Sequence, residues 1–364
     1  MNPIQDAKRL GQSIWLDYIR RNLITSGELQ KLVRDGISGL TSNPTIFQKA
    51  IAQSNDYDAA LKLFLKANQD ADTNAIYEHL AIADVRMVTD ILRPVYDATD
   101  GSDGFVSLEV SPRLADDTEA TIAEVQRLWR LVDRPNLMIK VPATPQGVPA
   151  LETLIAEGIN INVTLMFSLK HYESVSRAYI RGIAKNPNPE RVASVASFFV
   201  SRVDTYVDRE LERIGTEEAL ALRGKAAVAN SKLVYRRFRE VFFGEEFEEA
   251  RRRGARIQRV LWGSTSTKNP AYSDVKYVEG LIGPDTVNTL PPQTIEAFCD
   301  HGQARRTLDK GLKEAEQVLA SLGRVGVDLV SITEQLQQDG VRAFADSFDQ
   351  LLSALEEKRR VWAA

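Results

Sequence analysis

Eight short β-type runs, separated by stretches of helical periodicity, constrain this chain more than any other feature. That alternation marks βα units around a parallel sheet, and eight such units close into a barrel. The runs fall at Ser13 to Leu16, Ser38 to Thr41, Phe105 to Val110, Met138 to Val141, Asn162 to Leu165, Ala193 to Val200, Arg259 to Trp262 and Thr286 to Leu290. Between them, apolar residues recur every three or four positions and so share one helical face. Asn74 is the expected cap of a helix carrying Ile76, Leu80, Ala83, Met87 and Ile91. Ile122, Val125, Leu128, Trp129 and Val132 follow Asp116 and Asp117 in the same way, and Val148, Leu151, Leu154 and Ile155 follow Gln146, with Gly158 placed to end that helix. Asp204 to Arg253 reads as two or three charged helices, and the chain is helical after Leu290. The expected fold is α/β: a single (β/α)8 TIM barrel over 1–364, with 303–364 a helical C-terminal extension packed on the barrel.

Composition narrows the function classes. A formal charge of −4 over 364 residues leaves no electrostatic footprint for nucleic acid, and the basic run Arg251 to Arg253 is balanced by Glu245, Glu246, Glu248 and Glu249. No apolar run approaches the length that spans a bilayer, and the opening residues lack the apolar core of a signal peptide, so the expected location is cytoplasmic with no membrane partner. Cys299 is the sole cysteine, which excludes an intramolecular disulfide and a cysteine-based metal site. His79, His171 and His301 are too far apart to form a local metal motif and are read as structural; no metal is expected.

Candidate chemistry lies in polar residues set within apolar strands. Leu137 to Thr144, Leu-Met-Ile-Lys-Val-Pro-Ala-Thr, places Lys140 in a β-type run. Burial disfavours a charged amine, so the pKa of Lys140 is expected to fall toward the range where a free amine attacks a carbonyl. The same pattern also fits a lysine that snorkels from a strand end or blunts an edge. Residues two apart on a strand share a face. Thr41 and Asn43 do so, as do Asn162 and Thr164, and Ser107 and Glu109; Ser197 and Ser201 flank Phe199, and Asp17 ends Ile-Trp-Leu-Asp. Singly, Asp17 fits a helix N-cap, Asn43 a turn residue before Pro44, Glu109 the partner of a surface arginine and Ser197 a filler. Together they sit at strand ends that a barrel gathers on one face, where such folds build their sites.

Three segments, Gly-Leu-Thr-Ser-Asn-Pro-Thr-Ile-Phe (Gly39 to Phe47), Met-Ile-Lys-Val-Pro-Ala-Thr (Met138 to Thr144) and Gly-Ile-Asn-Ile-Asn-Val-Thr-Leu-Met-Phe-Ser (Gly158 to Ser168), resemble the signature segments of the transaldolase family in order and spacing. Ser107 to Ser111 and Ala196 to Asp204 are similar to two further blocks, and the resemblance runs roughly from Gln12 to His301, in the manner of the longer bacterial branch. It implies a barrel enzyme without metal or organic cofactor, with Lys140 as the Schiff-base lysine on the fourth strand. It further implies Asp17 as the acid/base of carbon–carbon cleavage, and Glu109 and Thr164 as holders of a water for carbinolamine dehydration. Thr41, Asn43, Asn162 and Ser197 would position the dihydroxyacetone unit, and Arg202 would bind phosphate. Ser42 replaces a threonine frequent in the family and keeps its hydroxyl. Where shorter members carry a second phosphate-binding arginine, this chain reads Gly-Ser-Thr-Ser-Thr-Lys-Asn, so Lys268 is the candidate there as a point charge without a guanidinium fork.

The implied reaction is reversible transfer of a dihydroxyacetone unit from sedoheptulose 7-phosphate or fructose 6-phosphate to glyceraldehyde 3-phosphate or erythrose 4-phosphate, in the non-oxidative pentose phosphate pathway. Sugar phosphates are the expected partners, with a homodimer as an option. The rivals are a fructose 6-phosphate aldolase-like lyase and a non-catalytic sugar-phosphate-binding barrel. Glu109 and Phe199 stand where the aldolase tends to have glutamine and tyrosine, which favours the transferase.

Overall fold

The computed structural model describes residues 2–363; Met1 and Ala364, the ends of the 1–364 span, lie outside the described residues. Eight parallel strands close a barrel in chain order: β1 (Gln12–Asp17), β2 (Leu40–Thr41), β3 (Val106–Glu109), β4 (Leu137–Pro142), β5 (Ile161–Met166), β6 (Ser194–Phe199), β7 (Arg259–Gly263) and β8 (Thr286–Leu290). β8 pairs with β1, from Gln12 beside Thr286 to Leu16 beside Leu290, which removes both sheet edges. Helices surround this (β/α)8 TIM barrel, and every expected strand is present with its ends moved by no more than a few residues.

The largest shift is at β2, where the ladder begins at Leu40 although Ser38 and Gly39 still hydrogen-bond the β1 backbone. Gly39 is needed there because the Trp15 indole packs against its Cα; an added Cβ would stand 2.5 Å from the ring. Gly39→Ala is therefore expected to lower stability by about 1–3 kcal/mol through overpacking, read from the midpoint of urea unfolding.

The barrel interior is layered by the period of the strands. Trp15, Phe105, Met138, Val195, Leu261 and Val287 form an apolar plug near the N-terminal end, separate from the larger core between sheet and helices. Two residues further along, on the same strand faces, stand Asp17, Ser107, Lys140, Ser197 and Thr289. The plug is pinned by Asp103, which accepts hydrogen bonds from Trp15 Nε1 at 2.8 Å and Ser13 Oγ at 2.5 Å. Polar groups thus ride on a rigid apolar floor.

Several helix expectations are corrected. Asp72, not Asn74, caps Thr73–Ala98, because its carboxylate accepts from Ala75 N while Asn74 already lies in the first turn. The 204–253 region holds four α-helices, Ser201–Ile214, Glu217–Leu220, Ala226–Phe243 and Glu248–Arg252, the first ended by Gly215 at φ 73°. Ser201 therefore begins a helix and does not share the β6 face with Ser197. Asn43 lies beyond β2 as the N-cap of Pro44–Ala52, its Oδ1 accepting from Ile46 N at 3.0 Å.

Beyond His301 come two more helices, Leu312–Arg324 and Leu329–Ala363. The first packs on Ala226–Phe243. The second crosses the C-terminal mouth of the barrel, where Gln337 Nε2 donates to Ala143 O and Leu165 O, each at 3.0 Å, and Ser347 meets Thr45 at 2.8 Å. Ala143 lies just past β4 and Leu165 at the register shift of β5, so the glutamine supplies a donor where the ladder is interrupted. Among the described residues no helix is long and apolar enough to cross a membrane.

Candidate active site

A cavity of about 640 Å³ opens at the C-terminal ends of the strands. Its wall includes Asp17, Thr41, Asn43, Lys140, Thr164 and Ser197, with Arg202, Lys268 and Phe344 toward the opening. Eight of the ten expected site residues line it; Glu109 and Asn162 stand directly behind the wall.

Lys140 is 4% exposed at the centre of β4. Strand register puts Glu109 on one side of it and Asn162 on the other. Its Nζ donates to the Ser42 carbonyl at 3.1 Å and lies 3.1 Å from Glu109 Oε2. The Phe344 ring, contributed by the last helix, stands 5.9 Å from Nζ. The lysine's immediate partners are more polar than its strand neighbours, yet all of them are fixed. Ser42 is held by its own hydroxyl, which donates to Ser107 O at 2.7 Å.

Burial pushes the Glu109 carboxyl above the ordinary range, with the Lys140 charge opposing. Lys140 is the ion-pair contact of Glu109 Oε2, and no other donor reaches that oxygen among the described residues. Thr164 Oγ1, buried and without a hydrogen-bond partner among the described residues, belongs to the next strand but one. An unpaired buried hydroxyl is costly, and one that faces a cavity is placed to receive a water or a ligand group. Beside Thr164, Leu165 adopts φ 61° at a register shift in β5, an uncommon conformation for a branched residue.

Asp17 pairs in register with Thr41, whose hydroxyl donates to Asp17 Oδ1 at 2.7 Å and lies 2.6 Å from Thr289 Oγ1. Burial raises the Asp17 pKa, and Lys140, the Thr41 bond, Lys268 and Arg202 act against it. Across the barrel, Ser197 Oγ donates to Asn162 Oδ1 at 2.6 Å, and Asn162 Nδ2 donates to Ser107 Oγ at 3.0 Å. Both ends of the Asn162 amide are thus committed, and Ser197 presents the group that reaches the cavity. Asn43 has given Oδ1 to its helix, so Nδ2 is the donor it retains.

The opening is cationic. Arg202, in the first turn of Ser201–Ile214, is lowered in pKa by burial; its guanidinium sits 5.4 Å from the Phe199 ring and has no carboxylate in ion-pair contact among the described residues. Lys268, on the loop after β7, donates to Ser266 Oγ at 2.6 Å. Its pKa is also lowered, first by partial burial and then by the charges of Arg202 and Lys49. Lys49 on Pro44–Ala52 completes this group. Such an arrangement suits a phosphate ester.

Lys49, Thr289 and Phe344 were not singled out from the sequence. Thr289 carried a usable signal, a polar residue two positions after Val287 on a buried strand. Lys49 reads as a solvated helical lysine, and Phe344 comes from a helix remote in sequence whose docking no local pattern reveals. Among the described residues no group of histidine, cysteine or carboxylate side chains is arranged to hold a metal ion.

Residues 14–355 match the family model described as Transaldolase/Fructose-6-phosphate aldolase. The chain is similar to the transaldolase of Thiobacillus denitrificans (50% identical over 360 residues, 98% of this chain and 100% of the relative). It is also similar to the transaldolase of Parafrankia sp. (47% over 362 residues, 98% of each) and to transaldolase 2 of Nostoc sp. (44% over 374 residues, 98% of each).

Proposed function

Since this chain belongs to the transaldolase/fructose-6-phosphate aldolase family, we propose that it is a transaldolase whose covalent link to substrate forms at Lys140. The observation that carries the reading is the buried Lys140 amine, 3.1 Å from Glu109 and in one mouth with Asp17. Donors and acceptors are sugar phosphates: sedoheptulose 7-phosphate or fructose 6-phosphate on one side, glyceraldehyde 3-phosphate or erythrose 4-phosphate on the other. This is the chemistry of the non-oxidative pentose phosphate pathway in the cytoplasm, and the barrel with its last helix works as one catalytic unit.

Lys140 attacks the ketone as a free amine. Glu109, lifted in pKa and facing the lysine, takes and returns the protons of that step, while Glu109 Oε2 and Thr164 Oγ1 hold the water that leaves. Asp17 then removes the hydroxyl proton next to the scissile bond. The bond breaks, its electrons move into the iminium, the deprotonated hydroxyl becomes the aldehyde of the departing aldose phosphate, and an enamine remains to attack the aldehyde of the acceptor. Asn43 and Ser197 hold the hydroxyls of the bound three-carbon unit, with Asn162 fixing the direction of Ser197. Thr41 orients Asp17. Phe199 and Phe344 line the cavity with ring surface that supplies no proton to the enamine, which favours transfer over release.

Incubation with fructose 6-phosphate alone, then with erythrose 4-phosphate, tests the reading. Turnover that waits for the acceptor is expected; sustained free dihydroxyacetone release without it would assign an aldolase instead. Arg202→Ala is expected to raise KM for fructose 6-phosphate by about 10–100-fold, the worth of hydrogen bonds to a charged group, with kcat much less affected. Arg202→Lys should recover only part of this because it lacks the planar fork. Initial rates over a range of substrate concentrations measure both.

A further inference from the structure

Glu109 borders a second cavity. About 230 Å³ in volume, it lies outside the barrel wall between the end of β3, the helices Thr73–Ala98 and Thr118–Val132, and Phe348 of the last helix. Glu109 forms part of its inner wall, whereas the central cavity is walled on that side by Lys140 and Thr164. The carboxyl therefore stands between two compartments, 3.1 Å from the lysine on one side and facing the side cavity on the other.

Polar side chains interrupt the largely apolar lining of the side cavity. Asn74, Tyr77 and Ser111 each contribute a polar side chain that makes no hydrogen bond within the described residues. Tyr77 is close enough to Glu109 for the carboxylate charge to add to burial in raising its pKa. Its ring is held edge-on between Phe47, at 5.7 Å, and Phe348, at 5.4 Å, so the hydroxyl has a fixed position. At about 30 Å³ per molecule, the volume accommodates several waters. Ion pairs stand at the outer rim, Arg127 with Glu78 and Glu124, and Arg113 with Asp349, and the cavity is partly open to solvent between them.

We infer that this side cavity is the route by which reaction water reaches and leaves Lys140, with Glu109 as the proton-carrying gate and Tyr77 as a positioning residue. The inference rests on the Schiff-base reading above. In the forward step, protonated Glu109 gives its proton to the carbinolamine hydroxyl, the C–O bond breaks, the nitrogen lone pair forms the C=N bond, and water departs past the resulting carboxylate. Hydrolysis reverses each transfer. During both steps the sugar phosphate fills the central mouth, so a separate exit lets water exchange without meeting the enamine carbon. This separates two requirements that otherwise conflict: water for making and breaking the Schiff base, and exclusion of water while the enamine waits.

Fructose 6-phosphate labelled with heavy oxygen at its ketone tests the route, since each cycle of iminium formation and hydrolysis exchanges that oxygen with solvent. Ser111→Phe fills the cavity from a half-exposed position, and Asn74→Trp covers it from the exposed helix start. Each is expected to slow label washout by about tenfold or more while the equilibrium yield of borohydride-trapped adduct at Lys140 stays at the wild-type level. Tyr77→Phe should slow washout with KM unchanged. Washout at the wild-type rate in both filled variants, with full adduct, would overturn the route. Absence of any adduct at Lys140 in the unmodified enzyme would instead overturn the Schiff-base reading on which it rests.

Discussion

Lys140→Met is expected to lower kcat/KM by on the order of 10⁴-fold or more, as loss of a covalent nucleophile does, and to abolish the three-carbon adduct recovered after borohydride reduction with fructose 6-phosphate. Peptide mass mapping reads the second outcome directly, and an adduct on any other lysine would refute the assignment. Methionine matches the length of the lysine stem but leaves Glu109 buried without its counter-charge. Breaking a buried pair in this way costs about 3–5 kcal/mol when the remaining group stays ionised. Glu109 has an escape, because burial already lifts its pKa and the loss of the Lys140 charge lifts it further. A carboxyl raised above its unfolded value binds more protons in the native state, so its contribution to stability is complete below the unfolded pKa and is lost as pH rises through the folded one. The variant should therefore gain stability relative to the unmodified chain as pH falls from neutral toward the acid range. Thermal unfolding across that range checks the sign, and Glu109→Gln in the same background should flatten the dependence. This control separates loss of chemistry from loss of fold.

The barrel was legible in the sequence because each strand is a short apolar run bounded by turns, and because its helices carry one apolar face. The site was legible for a related reason. Trp15 to Asp17, Met138 to Lys140 and Val195 to Ser197 each step two residues along one strand face, from the apolar plug into the cavity. A polar side chain at such a step has nowhere to go but the barrel mouth. Residues delivered by loops and remote helices follow no such period. Asn43 looked like a strand residue and is a helix cap; Ser201 looked like the next position on β6 and opens a helix. Phe344 enters the site from the last helix, which is docked in part through Gln337 on the carbonyls of Ala143 and Leu165, contacts spanning 194 and 172 residues of chain. The extension that the sequence placed on the barrel in general terms thus acquires a definite place over the mouth. The resemblance supplied roles for the strand residues, whereas the side cavity behind Glu109 is a property of packing between helices and could be seen only in three dimensions.

Asp17→Asn is expected to reduce kcat by about 10²–10⁴-fold, the usual worth of a general acid/base, while leaving the borohydride-trapped adduct at Lys140 intact. Asparagine keeps the shape and can still accept from Thr41, so the Schiff base forms and the following proton removal fails. An Asp17→Asn enzyme that lost the adduct as well would place Asp17 in iminium formation and contradict the division of roles. The pH dependence supplies a second check. In the proposed role Asp17 must be ionised to take the hydroxyl proton, and burial raises its pKa against the opposing pull of Lys140, Thr41, Lys268 and Arg202. The acid limb of kcat/KM in the unmodified enzyme should accordingly lie above the ordinary aspartate range and be absent from the residual activity of the variant. Stability should move the other way from activity. Because the folded pKa is raised, the Asp17 contribution is complete below the unfolded pKa and is lost as pH rises through the folded value, so at neutral pH the ionised carboxylate is a net burden on the fold. Removing the charge should raise the melting temperature at neutral pH, with the gain shrinking on acidification. A melting temperature that instead fell at neutral pH would mean that the surrounding cations outweigh burial, and that Asp17 holds Lys268 and Arg202 in place as well as moving a proton.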